Sequence, residues 1–238
     1  MELKYSDSAV KTEYLAETPK VETRRNTRLI HKSKPVYRFI KRTFDIISAS
    51  ATLIVLSPLF LIIAILIKAD DNGPVIFKHY RVGRNGKLFG VYKFRSMKMG
   101  SDKIEDILTP EQLQEYKKEF KLDNDPRITK IGNILRKTSL DELPQLINII
   151  KGEMSVIGPR PILESEFEYY TAEERALVLT LRPGLTGYWQ AYARNDATYE
   201  TGERQKMELY YVQNANVWFD TKILLKSFTS VLARKGAK

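Results

Sequence analysis

The chain contains no cysteine and only two histidines. The first absence excludes disulfides, thiolate metal sites and thiol nucleophiles, and it suits a reducing compartment. The second leaves little room for imidazole chemistry, because His31 and His79 stand alone, outside any metal-ligand spacing or nucleophile triad. A G-x-x-x-x-G-K phosphate loop is missing too, as are internal repeats and low-complexity tracts. The first 37 residues are polar and charged, which predicts no secretory signal at this start. Carboxylates and guanidinium groups are what remains for chemistry.

The balance of charge is basic, with 39 Lys+Arg against 29 Asp+Glu. Partners are then expected to be anionic: nucleic acid, anionic lipid or nucleotide phosphates. Residues 1–37 read as a tail, since they show no sustained apolar period and cannot offset their ordering entropy by burial. Arg24, Arg25, Arg28, Lys32 and Lys34 make its later part basic. Such a tail is either solvated or held to anionic lipid.

Residues 38–70 are different. The run Phe44 to Ile67 carries one charge, Asp45. As a straight helix it would span a bilayer, at about 1.5 Å per residue. A soluble core helix is rarely so evenly apolar, and nucleic-acid binding leaves the run unexplained. Ser57-Pro58 interrupts it midway. Proline there strands the Ile54 carbonyl and kinks the helix. A bond from the Ser57 hydroxyl to the Leu53 carbonyl would ease the bend, leaving arms of about 20 Å, each too short to cross. Basic residues flank the run on both sides: Arg38, Lys41 and Arg42 before it, and Lys68, Lys78, Arg81, Arg84 and Lys87 after it. A spanning helix usually biases them to one side. The pattern predicts a re-entrant helix-break-helix; a kinked single span is the other reading.

Residues 71–238 are expected to form a small cytoplasmic α+β domain. Asn85-Gly86 predicts a β-hairpin. Residues 102–122 have helical period, and "DPRITKIGNIL" contains another short helix. "GEMSVIGPRPIL" and "TLRPGLTGYWQAYARND" read as loops. From Asp220 the chain is an amphipathic basic helix, opened by Trp218 and Phe219. It either lies at a membrane interface or packs on its own domain.

The reactive candidates sit in "SLDELPQ", residues 139–145. Ser139 and Glu142 match the S-x-x-E capping box. Capping from Ser139, however, places Pro144 where its missing N–H removes an intrahelical bond. A helix starting at Asp141 or Glu142 tolerates that proline. Both acids would then occupy a positive helix mouth, which favours ionised carboxylates and docks phosphate. Cap and reactive pair are both open readings of these residues. Arg95, Arg127, Arg136, Arg160, Arg182 and Arg194 lie in loops, several of them fixed by Gly or Pro. Guanidinium forks grip phosphate oxygens. A carboxylate nucleophile, an adjacent carboxylate able to hold Mg2+, and several arginines are the parts of a phosphoryl-transfer site.

Beyond these residues, a longer set of motifs resembles a known family. They are "KRTFDI", Ser57-Pro58, "GPVIFKHYRVGRNGKLFGVYKFRSM", "DPRITKIGNILRKTSLDELPQLINIIKGEMSVIGPRP", "LRPGLTGYWQ" and a terminal "YY…FDTKIL". In this order, over residues 38 to 230, the chain resembles the monotopic polyprenyl-phosphate phosphoglycosyl transferases, the bacterial sugar transferase family. The resemblance implies a monotopic α+β membrane enzyme with amphipathic interfacial helices, on the cytoplasmic face of the bacterial inner membrane. It implies transfer of a sugar-1-phosphate from a UDP-sugar to polyprenyl phosphate, with release of UMP. Asp141 would be the nucleophile and would join Glu142 at Mg2+. Arg136 and Arg160 would lie near the phosphates, with Lys93, Arg95 and Arg127 as further substrate contacts. Arg182 and Arg194 fall in matching loops, although Ala193 stands where members often carry glycine. Partners would be the bilayer, a second copy of the chain and downstream glycosyltransferases, with no nucleic acid. A non-catalytic scaffold of a glycan assembly complex is the competing expectation.

Overall fold

Pro35 suits a first helical turn, where its missing N–H costs nothing, and it opens α1 (Pro35–Val55). In the computed structural model, which describes residues 34–101, 104–119, 122, 125–193 and 201–232, the anchor helix therefore begins ahead of residue 38. Residues 1–33 of the expected tail lie outside the described residues. Leu56 links α1 to α2 (Ser57–Asp71), and the two helices are bent by 62°. At the bend, the Ser57 hydroxyl donates to the Ile54 carbonyl at 2.8 Å rather than to Leu53. It satisfies the carbonyl that Pro58 leaves without its helical donor. The first arm is also longer than expected, about 31 Å for its 21 residues, because the basic flank is helical as well. No single described helix is long and apolar enough to cross a membrane.

The two anchor helices present two kinds of surface. Ile47, Ile54, Val55, Leu61, Ile62 and Ile65 are exposed, whereas Asp45, Ala49, Ile63 and Ile67 are buried against the domain. Asp45 is the single charge of the apolar run. Its Oδ1 accepts from the Ser155 hydroxyl and the Val156 N–H, both at 2.9 Å. The lone carboxylate thus fixes α1 to the domain.

Asn72, at φ 56°, ends α2. Strands β1 (Ile76–Val82) and β2 (Leu88–Phe94) then pair antiparallel, with Ile76 opposite Phe94 and Val82 opposite Leu88. Asn85 and Gly86 take the positive φ values, 60° and 73°, that this turn chemistry supplies. The helical stretch expected over 102–122 is divided into α3 (Ile104–Ile107) and α4 (Pro110–Glu119). Thr109 breaks it by exchanging bonds with Gln112, a reciprocal cap for α4.

Next come α5 (Lys130–Thr138), a 3-10 turn over Leu140–Glu142, and α6 (Gln145–Lys151). The two Gly/Pro segments expected as loops contain strands. β3 (Ser155–Ile157) pairs parallel with β4 (Gly184–Thr186). Glycine permits this approach: a Cβ on Gly184 would lie 2.2 Å from the Gly158 nitrogen, and one on Gly158 would lie 2.5 Å from the Arg182 carbonyl oxygen. The rest is α7 (Ala172–Val178), α8 (Tyr188–Tyr192), α9 (Glu203–Asn214) and α10 (Val217–Leu232). The fold is α+β with a small hairpin, as expected.

Helix α10 packs on its own domain through fully buried Ile223, while Trp218, Leu225 and Phe228 remain exposed. Its Asp220 gathers a buried network. Tyr37 donates at 2.9 Å, Lys41 at 2.7 Å and Tyr211 at 2.8 Å. Ends of the chain far apart in sequence are joined there.

Candidate active site

Ser139 does not cap a helix over the acids. It takes φ 57° as the C-cap of α5, its side chain makes no capping bond, and α6 begins only at Gln145 with Pro144 as its N-cap. The capping box and the acidic helix mouth are therefore corrected. A left-handed residue closes α5, and the 3-10 turn carries Asp141 and Glu142 ahead of α6. Asp141 is 8% exposed. Its pKa is raised, not lowered: burial acts first, Glu142 adds to it, and Lys93 and Arg136 oppose. Desolvation outweighs the cations, so the site raises the carboxyl where a helix mouth was expected to lower it.

Lys93 reaches the acids from β2. Its Nζ lies 2.8 Å from Glu142 Oε1 and 3.9 Å from Asp141 Oδ2. The alternation of β2 explains this, since Phe94 turns into the core against Phe60 and its neighbour Lys93 turns the other way. Arg136 sits in the last turn of α5 and acts on Asp141 by charge. Asp141, Glu142, Lys93 and Arg136 are thus brought together.

Arg160, in the loop after β3, acts by charge on the hairpin. Both Arg160 and Lys93 act on His79, which burial first, and then Arg81, Lys93 and Arg160, push down to about 4. The Arg160 guanidinium is held by Glu166 at 2.8 Å, and its backbone N–H donates to Glu208 Oε2 at 3.1 Å. Burial raises the Glu166 carboxyl, but Arg160, the Leu163 N–H and Arg81 outweigh it, and the net shift is downward.

Other expected contacts are engaged elsewhere. Arg127 is buried in a two-point pair with Asp125, at 2.8 and 2.6 Å, and stacks over Tyr116. Arg95 is buried, with its guanidinium against Gly73. Arg182 donates to the Gly152 carbonyl at 2.7 Å, at the far end of α6 from the acids. Arg194 lies outside the described residues.

Sequence reasoning passed over Asn148, Glu166 and Glu208. Fully buried Asn148 accepts from the Tyr92 N–H at 2.9 Å and donates to the Gly90 carbonyl at 2.8 Å, which locks β2 to α6. Its signal is a lone polar residue on the apolar face of "LINIIK". His79 stands alone in the sequence, yet Arg81 contacts its Nδ1 at 3.3 Å and Lys93 and Arg160 act on it by charge.

Two adjacent carboxylates offer hard oxygen donors, and the Lys93 ammonium beside both shows that the pair attracts a cation. Mg2+ commonly takes one or two carboxylates and completes its shell with water and phosphate oxygens. The residues fit that ion. Among the described residues, no group of three or more His, Asp or Glu side chains converges on a metal position.

The family described as "Bacterial sugar transferase" matches residues 36–234. The chain is 48% identical over 203 residues to the "Undecaprenyl-phosphate galactose phosphotransferase" of Salmonella typhimurium, covering 84% of this chain and 42% of that protein. It is 44% identical over 207 residues to the "Exopolysaccharide production protein ExoY" of Rhizobium meliloti, covering 86% and 90%. It is 38% identical over 208 residues to the "UDP-glucose:undecaprenyl-phosphate glucose-1-phosphate transferase" of Escherichia coli, covering 85% and 42%. The match thus spans less than half of the Salmonella and Escherichia relatives and nearly all of ExoY.

Proposed function

The chain belongs to the bacterial sugar transferase family, and from that premise we propose that it moves a sugar-1-phosphate from a UDP-sugar to polyprenyl (undecaprenyl) phosphate, releasing UMP. The observation that carries this reading is the buried Asp141 beside Glu142, with Lys93 against both. The names of the Salmonella and Escherichia relatives support the substrate class. The exposed apolar surface of α1 and α2 supports a bilayer partner. The proposed location is the cytoplasmic face of the bacterial inner membrane, at the first membrane step of exopolysaccharide or capsule synthesis.

The reaction proceeds in two displacements. An Asp141 oxygen attacks the sugar-bearing phosphorus, an Asp–phosphate bond forms, and the bond to the departing UMP oxygen breaks. The phosphate oxygen of polyprenyl phosphate then attacks the same phosphorus and displaces Asp141, giving polyprenyl-diphospho-sugar. Two steps replace one substitution between bulky anions. Lys93, 3.9 Å from Asp141 Oδ2, favours the ionised carboxylate that the attack requires, opposing the burial that raises its pKa. Arg136 and Arg160 offset phosphate charge. Asp141 and Glu142 would hold Mg2+, which neutralises diphosphate charge when bound.

Asp141→Asn is expected to abolish UMP release from a UDP-sugar while leaving membrane association and the unfolding temperature near wild type. Polyprenyl-phosphate-dependent UMP release is the assay, and full activity in this variant would refute the nucleophile assignment. Chelation should stop the same reaction and added Mg2+ should restore it. Undiminished turnover in excess chelator would remove the metal from the reading.

A further inference from the structure

The C-terminal end of α6 carries a second concentration of positive charge, away from the acidic pair. Arg42 of α1 donates to the Ile149 carbonyl at 2.6 Å and to the Ile150 carbonyl at 2.8 Å. Arg182 donates through Nε to the Gly152 carbonyl at 2.7 Å. Gly152 closes α6 at φ 81°, and a Cβ on it would stand 3.3 Å from Arg42 Nη2 and 3.9 Å from Arg182 Nη2. The two guanidinium groups therefore converge over this glycine. Arg38 lies one turn before Arg42 on α1, and Arg84 comes from the hairpin turn. Beyond burial, Arg84, Arg42 and Arg38 all act on Arg182, and Arg38 acts on Arg84.

The local charge does not balance. The guanidinium groups of Arg42 and Arg182 converge over Gly152, and those of Arg38 and Arg84 add their charge at Arg182. The carboxylate that acts on Arg182 is Asp45, which already accepts from Ser155 and Val156. The carbonyl end of α6 contributes about half a negative charge. Among the described residues, no hydrogen bond engages the guanidinium of Arg38 or Arg84, and Arg38 is exposed. Like charges gathered this way repel unless an anion joins them. The cluster also adjoins the surface that the anchor helix leaves apolar: Phe39, beside Arg38, is 73% exposed.

We propose that Arg38, Arg42, Arg84 and Arg182 form a phosphate-binding site at the C-terminal end of α6, separate from Asp141 and Glu142. Its ligand is a phosphate ester or phosphate ion gripped by guanidinium forks. An anionic lipid headgroup and soluble phosphate share that chemistry, and the test separates them. The inference stands apart from the transferase reading, because it is tested with no sugar nucleotide present.

The full chain in neutral detergent is titrated with dihexanoyl phosphatidylglycerol, dihexanoyl phosphatidylcholine and inorganic phosphate, following unfolding temperature and bound ligand. Phosphatidylglycerol should bind saturably and phosphatidylcholine should not. In Arg38→Gln/Arg84→Gln the affinity should fall at least about tenfold. Neither residue caps α6, so the unfolding temperature without ligand should hold. If that variant fails to fold, Arg84→Lys serves instead: it keeps the charge and loses the fork, and should still weaken binding. Saturation by inorganic phosphate as tight as by the lipid, lost on the same substitutions, assigns a soluble anion to the site. Binding that is unchanged in the variants, or no saturable binding of either anion, overturns the proposal.

Discussion

Glu208 and His79 are shifted in opposite directions by the same burial. Glu208, fully buried, is pushed up to about 7, although the Arg160 N–H and the charges of Arg204 and Arg160 oppose. His79 is pushed down to about 4. Between its ordinary 4.5 and about 7, Glu208 keeps its proton only when folded, so stability falls as pH rises through that window, by roughly 3 kcal/mol in all. Between about 4 and its ordinary 6.5, His79 binds a proton only when unfolded, so stability rises with pH. The two nearly cancel where they overlap. Relative to wild type, the unfolding temperature should therefore tilt upward with pH from 4.5 to 6.5 in Glu208→Gln and downward in His79→Gln. Parallel pH profiles for the three proteins would refute the opposed pair. Glu208 was hard to find in the sequence because an acid within "MELYYV" looks like a solvated position. Its burial comes from the GPRP segment folding over it, a contact 48 positions away in the chain.

At the scale of elements, local chemistry was legible and long-range pairing was not. The hairpin follows from Asn85-Gly86, whose left-handed conformations are a local property. Ser139 misled because serine rarely takes positive φ, and here it closes α5 instead of capping the next helix. Strands β3 and β4 have three residues each and a parallel partner some thirty positions away, too short for an alternation to register. Gly132 shows how closely such elements meet. Thr129 caps α5 onto its N–H at 2.9 Å, and a Cβ on it would stand 2.0 Å from the Ser96 carbonyl oxygen. Alanine there gains about 1 kcal/mol of helix propensity but must displace backbone. Gly132→Ala should therefore lower stability by about 1–3 kcal/mol, measured by denaturant unfolding in detergent. It should also reduce turnover, because Arg136 lies one turn further along the same helix. A variant more stable than wild type would show that Ser96 yields without cost.

For the molecule as a whole, the anchor's path decides where the chemistry happens. Ser57 and Pro58 bend α1 against α2 by 62°. The domain holds both arms: Asp45 bonds β3 from the first arm, and Ile63 and Ile67 of the second pack with Phe94 and Leu135. A straight span would carry one arm away from the domain, leaving either Asp45 without its partners or Ile67 without its core. Each loss is expensive, the first because a buried carboxylate would lose both hydrogen bonds. On this ground we propose that both arms return to one face of the bilayer. The absence of cysteine makes this directly testable, because one introduced thiol is the only one in the chain. Val36→Cys, at the start of α1, and Asp70→Cys, at the end of α2, are both exposed positions. In sealed vesicles of one orientation, an impermeant maleimide should label both variants equally from the domain's side and neither from the other. Labelling of Val36→Cys and Asp70→Cys from opposite sides would establish a span and detach the acidic pair from the geometry argued for it.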